Sequence, residues 1–109
     1  MSSGWKGSPF FSLILSGGKE HCLHFWCPGC ERYHLVIPKE FVHNNGPKWT
    51  VDPVAHTVSP SILVTKGPSD PKYRCHLFIR GGNIEYLRDC SHHLKGKTVP
   101  LVKFDEAPY

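Results

Sequence analysis

Apolar residues in this chain come in short runs broken by glycine, proline and polar residues, the pattern of short strands joined by turns. Phe10 to Leu15 predicts a first strand, ended by Ser16-Gly17-Gly18. His21 to Trp26 and Tyr33 to Ile37 predict the arms of a hairpin capped by Cys27-Pro28-Gly29-Cys30. Pro38 to Lys48 reads as a loop, with Asn45-Gly46-Pro47 as its turn signal. Trp49 to Val51 is a short extended piece broken by Pro53. Ser59-Pro60-Ser61 reads as a turn into a strand over Ile62 to Thr65, and Gly67 to Lys72 as a second loop.

The best-defined hairpin joins Tyr73–Arg80 to Ile84–Cys90 through Gly81-Gly82-Asn83. Strand alternation puts Cys75, Leu77, Ile79, Ile84, Tyr86, Arg88 and Cys90 on one face. His76, Phe78, Arg80, Glu85, Leu87 and Asp89 fall on the other. A Gly82-Asn83 turn sets Cys75 opposite Cys90, Arg80 opposite Glu85 and His76 opposite Asp89. A turn at Gly81-Gly82 keeps the faces and loses those direct pairs. Ser91 predicts the cap of one short helical turn near 91–96, ended by Gly96. Thr98 to Phe104 is a last strand, placed at an edge by Pro100. The expected fold is mostly β: a small single domain of short antiparallel hairpins stapled by a zinc-ribbon-like site. Residues 1–9 form a flexible N-terminal arm, and residues 10–109 one zinc-binding β domain.

Composition changes this picture in one respect. A chain of 109 residues with 39% hydrophobic content has one modest core, which metal ligation would help to hold. Five cysteines, an odd number, fit a disulfide framework poorly. Phe10 to Leu15 is too short for a membrane span, and no clear cleavage site follows it. The expected compartment is therefore the reducing cytoplasm, with no membrane and with cysteines serving as ligands. A net charge of +4 permits a nucleic-acid or acidic partner without demanding one, because only Lys95, Lys97 and Lys103 cluster locally.

A structural zinc takes four nitrogen or sulfur ligands, usually as two pairs from separate segments. Cys27 and Cys30 form one pair, spaced as a knuckle whose proline and glycine tighten the turn. Hairpin geometry favours Cys75 with Cys90 as the second pair, while local spacing favours Cys90 with His93. The expected ligands of Zn²⁺ are Cys27, Cys30, Cys75 and Cys90, with His93 as the alternative fourth. Cys22 has no partner by spacing and reads as a small buried hydrophobe.

Eight histidines are many for this length. His34, His76 and His93 each lie beside a proposed ligand and therefore in its neighbourhood. They read either as groups supporting the ligands or as a second, solvent-facing site, with Asp89 orienting His76. His34, His76 and Asp89 are the catalytic candidates. Ser59 and Ser61 are explained by the turn, and no Gly-x-Ser-x-Gly or phosphate-binding loop is present.

The order of Trp26-Cys27-Pro28-Gly29-Cys30, His34, Trp49, Ser59-Pro60-Ser61-Ile62, Cys75-His76, Asp89-Cys90, His93 and Gly96 resembles a small domain of unknown function. That family is common in bacteriophages and prophages and is often labelled "ammonia monooxygenase". The likeness spans about residues 24 to 102 and includes Cys27, Cys30, His34, Cys75, His76, Cys90 and His93. It implies a cytosolic, phage-associated accessory protein that binds zinc. The oxygenase label finds no support, since a copper membrane enzyme needs spanning helices. The expected function is a module with a structural metal that binds a host protein or nucleic acid. The alternative is a small metal-dependent hydrolase acting on nucleic acid or nucleotides through the histidines. The module is favoured because nothing beyond histidine number argues for turnover.

Overall fold

The computed structural model describes residues 3–65 and 72–107. The first sheet holds β1 (Ser3–Gly4), β2 (Ser12–Ser16), β3 (Lys19–Cys27) and β4 (Arg32–Val36), in that order. The second holds β5 (Thr50–Asp52), β6 (Thr57–Thr65), β7 (Arg74–Arg80), β8 (Asn83–Tyr86) and β9 (Thr98–Pro100), again in chain order. Every ladder is antiparallel, so each sheet is a meander of sequence neighbours, as short turn-punctuated strands favour. An isolated parallel bridge between Pro38 and Trp49 ties the connecting segment to itself. The architecture is mostly β, as expected.

One core joins the two sheets. Phe11, Leu23, Phe25 and Val36 come from the first sheet and its approach, and Val58, Ile62, Leu77, Ile79 and Ile84 from the second. Each such buried side chain contributes about 1.5–3 kcal/mol over exposure. Alternation decides what the site can be. Along β7, Cys75, Leu77 and Ile79 are buried in the core while His76 and Phe78 lie on the outer face. One strand thus carries thiol chemistry inward and imidazole chemistry outward.

Several expectations are corrected. The segment read as a flexible arm is part of the fold from Ser3 on: β1 pairs with β2, and Trp5 is buried edge-on against Phe41 at 5.9 Å. The hairpin turn is Gly81-Gly82, with both glycines at positive φ (56° and 83°), so Arg80 pairs with Asn83 and Phe78 with Glu85. β8 stops at Tyr86, and residues 87–90 leave the ladder. Residues 91–96 form successive turns rather than a helical turn, with Lys95 N–H bonded to the His92 carbonyl. Ser59-Pro60-Ser61 is not a turn before a strand but a bulge within β6, where three residues stand opposite Phe78 alone. The loop expected at Gly67 to Lys72 lies, except for Lys72, outside the described residues.

Candidate metal centre and serine triad

Two constellations lie back to back on β7. The inner one gathers Cys27, Cys30, His34 and Cys75, whose ligating atoms all lie within 4.8 Å of one another. Cys27 ends β3 and Cys30 follows its turn, His34 sits on β4 beside Phe25, and Cys75 arrives from the other sheet. The sulfurs of Cys27 and Cys75 are 3.9 Å apart. The knuckle is held by Cys30 N–H to the Cys27 sulfur at 3.4 Å and by Glu31 N–H to the Cys27 carbonyl at 2.8 Å. Gly29 has no room for a side chain, because a Cβ there would stand 2.3 Å from Cε1 of His92.

Electrostatics show what this group needs. Hydrogen bonds from the Cys30 and Cys75 thiols push the Cys27 thiol far below its ordinary range. Its charge and hydrogen bonding in turn push Cys30 up to about 11, and Cys75 is pushed up by Cys27 and Cys30. Burial and the neighbouring Cys27 raise the Tyr86 phenol, whose oxygen lies 3.0 Å from the Cys27 sulfur. The Tyr73 hydroxyl donates to the Cys30 sulfur. Protein donors alone thus support one thiolate, and a bound cation would let all three thiols ionise. His34 supplies a second observation: its Nε2 is buried without a hydrogen-bond partner. Three thiols and one imidazole make a structural donor set, and these four residues can hold a metal ion.

The remaining expected ligands fall elsewhere. Cys90 belongs to a second group with Cys75 and His92, and its thiol clamps His76, accepting from the backbone N–H at 3.2 Å and donating to the carbonyl at 3.1 Å. His93 is exposed and belongs to neither group. His92, to which sequence gave no role, aims Nε2 at the Cys75 sulfur at 3.3 Å. Its Nδ1 accepts from Leu94 N–H at 3.2 Å, which leaves the ring proton on Nε2, facing sulfur. In this arrangement His92 acts as a donor to the Cys75 sulfur. His34, His76 and His93 do not gather into one site: His34 faces the thiols and His76 lies on the opposite side of β7.

The outer constellation is a hydrogen-bonded line. Nε2 of His76 lies 3.1 Å from Oγ of Ser61, and Nδ1 of His76 lies 3.2 Å from Oδ2 of Asp89. The strand pair Leu63–His76 brings the outer face of β6 to that of β7, and the bulge re-aims Ser61 across the gap. The indole N–H of Trp49 holds the Ser61 carbonyl at 3.3 Å. Asp89 comes from the segment after β8, fastened along β7 by Leu87 N–H to the His76 carbonyl and Ser91 N–H to the Arg74 carbonyl. Arg74 also reaches Oδ2 of Asp89 at 3.2 Å. Desolvation opposes ionisation of Asp89, and hydrogen bonds from His76 and Arg74 outweigh it, so the carboxyl lies below its usual range. A carboxylate on Nδ1 fixes the tautomer in which Nε2 accepts the serine proton.

A family model matches residues 8–87, described as bacterial ubiquitination-like system serine protease (BubE). The chain belongs to the BubE family. The match takes in Ser61 and His76 and stops two residues short of Asp89. BubE names a bacterial system, and the match offers nothing for bacteriophage origin, host binding or the oxygenase label. No curated protein and no solved structure matches the chain. Among the described residues no helix is long and apolar enough to cross a membrane.

Ser61 is the member of this line that the sequence reading set aside as part of a turn. Its signal was present: proline inside a strand marks an edge or a bulge, and bulges cluster at active sites. What sequence lacked was the pairing of β6 with β7 that sets Ser61 beside His76.

Proposed function

We propose that this protein is a serine peptidase in which Ser61 is the nucleophile, His76 the general base and Asp89 the group that orients it. The observation that carries this reading is the unbroken line Ser61 Oγ, His76 imidazole, Asp89 carboxylate at 3.1 and 3.2 Å. The description of the BubE family supports it. The substrate follows from that description: a peptide or isopeptide bond made by a ubiquitin-like protein of the same bacterial system.

The geometry performs the reaction as follows. His76 Nε2 takes the Ser61 proton as Oγ attacks the scissile carbonyl, then gives that proton to the leaving amine. Asp89 holds the Nδ1 proton and stabilises the imidazolium, and Arg74 fixes Asp89. Water, deprotonated by the same imidazole, then releases the acyl group from Ser61.

The same reading assigns zinc, held by Cys27, Cys30, His34 and Cys75, a structural part. Four protein ligands of this kind would suit an ion that braces the fold rather than one that activates water. Its effect on catalysis passes through β7, where Cys75 and His76 are neighbours. All five cysteines are free of disulfides, which supports a cytoplasmic location.

The test is cleavage of a linear fusion between a ubiquitin-like protein of the system and a reporter. Ser61→Ala and His76→Ala are each expected to lower kcat by at least about a thousandfold. Undiminished cleavage by Ser61→Ala would end the serine peptidase reading.

A further inference from the structure

Lys95 and Lys97, a local concentration of positive charge in the sequence, take no part in the triad or the thiol group. They line a hollow of about 500 Å³ together with Arg88 and Gly96. The segment after β8 folds back on itself to build it. The Leu87 carbonyl accepts from Gly96 N–H at 3.3 Å, and Tyr86 N–H donates to the Lys97 carbonyl at 2.9 Å. Those bonds bring residues 95–97 against Arg88. Gly96, at a φ of 72°, packs under the arginine stem, whose Cγ would stand 3.4 Å from a Cβ at that position.

Three observations say what the hollow takes. Every charged side chain lining it is positive, and all three are exposed. Among the described residues no carboxylate pairs with Arg88, Lys95 or Lys97: the adjacent Asp89 is bonded to Arg74 and His76, and Glu85 to Arg80. A hollow lined by one sign of charge, without an internal partner, draws the opposite charge from outside. The rim's backbone offers no cradle, because the N–H groups of Lys95, Gly96 and Lys97 are bonded to the carbonyls of His92, Leu87 and Leu94. A compact phosphate is gripped by such amides, whereas separate long cations reach carboxylates spaced along a chain. No aromatic ring lines the hollow, so it lacks the platform on which single-stranded nucleic acid stacks. The hollow also belongs to the triad's own segment, since Arg88 directly precedes Asp89.

We propose that the hollow formed by Arg88, Lys95 and Lys97 around Gly96 binds an acidic segment of the protein substrate, two or more carboxylates set apart from the scissile bond. This rests on the peptidase reading of Ser61 and adds a feature of the substrate that the triad does not read. Attraction at the hollow directs cleavage to proteins carrying such a segment, and the chemistry at Ser61 is the same for all of them.

The test reads binding apart from catalysis. Isotopically labelled Ser61→Ala protein, loaded with zinc, is titrated with acetyl-Glu-Gly-Glu-Gly-Glu-amide and followed by amide chemical shifts. The expected result is movement of the amides of 88 and 95–97, with none for the glutamine counterpart acetyl-Gln-Gly-Gln-Gly-Gln-amide. Raising the salt from about 0.01 M to about 0.15 M is expected to weaken binding at least about fivefold, because exposed charges are screened. Arg88→Glu and Lys95→Glu, exposed changes that leave the rest of the amide spectrum in place, are each expected to weaken it about tenfold. Absence of shifts at those amides with millimolar peptide, or equal affinity for the glutamine form, overturns the proposal. Tighter binding of inorganic phosphate or of an oligothymidylate overturns it as well and assigns the hollow to that ligand. Covalent labelling of Ser61 by a fluorophosphonate in the unmodified protein reports on the triad separately. Labelling without peptide binding removes the hollow alone, and peptide binding without labelling removes the peptidase reading alone.

Discussion

Ser61 shows how one side chain's role depends on its backbone. As the last residue of a turn its hydroxyl would face solvent, whereas in a bulge of β6 it reaches the imidazole of His76. Ser59, two residues earlier, is exposed and lies outside the line to His76. Ser59→Ala is therefore expected to retain cleavage within about threefold, a surface change of less than about 0.5 kcal/mol, while Ser61→Ala abolishes it. Asp89→Asn leaves the shape and reverses the hydrogen bonding of His76, and kcat is expected to fall about 10⁴-fold with KM little changed. Steady-state kinetics on the fusion substrate checks both. His76 and Asp89 were legible as a pair from strand alternation. The pairing arises differently from the one expected, because the Gly81-Gly82 turn shifts the ladder and Asp89 reaches His76 from a segment that has left it.

Elements explain why those residues stay aimed. β7 is clamped from its outer side by residues 87–91, with Cys90 holding both backbone polar groups of His76. The strands themselves were legible because each is a short apolar run between glycine, proline or polar turns. Their partners were not, since pairing of β6 with β7 depends on a bulge whose position no period reveals. The knuckle was legible from its spacing, but its companions were not. His34 alternates inward with Phe25 as its cross-strand partner, and Cys90 is drawn to the His76 backbone, near Cys75 and outside the four-residue group. At the turn between the knuckle cysteines, Gly29→Ala would place a methyl into the His92 ring. Overpacking there is expected to cost about 1–3 kcal/mol, read as a fall in Tm of at least about 4 °C. Unchanged Tm would mean that His92 does not pack against the knuckle.

For the whole molecule, the two constellations make one mechanical unit. The thiol group joins β3 and β4 of one sheet to β7 of the other, and the triad stands on the opposite face of that same strand. Metal removal is therefore expected to cost both the fold and the activity, since ligand binding energy in a core this small is folding energy. Elemental analysis is expected to give one zinc per chain, lost in Cys27→Ser, Cys75→Ser and His34→Ala and kept in Cys90→Ser and His93→Ala. Retention of zinc by His34→Ala would move the fourth ligand elsewhere. The central claim is that a zinc-braced β domain carries a serine nucleophile. It is tested most directly by treating the metal-loaded protein with a fluorophosphonate and locating the adduct by peptide mass spectrometry. The account predicts one adduct, on Ser61, lost in His76→Ala although that variant keeps its zinc and its fold. No adduct, or an adduct on another serine, would contradict it.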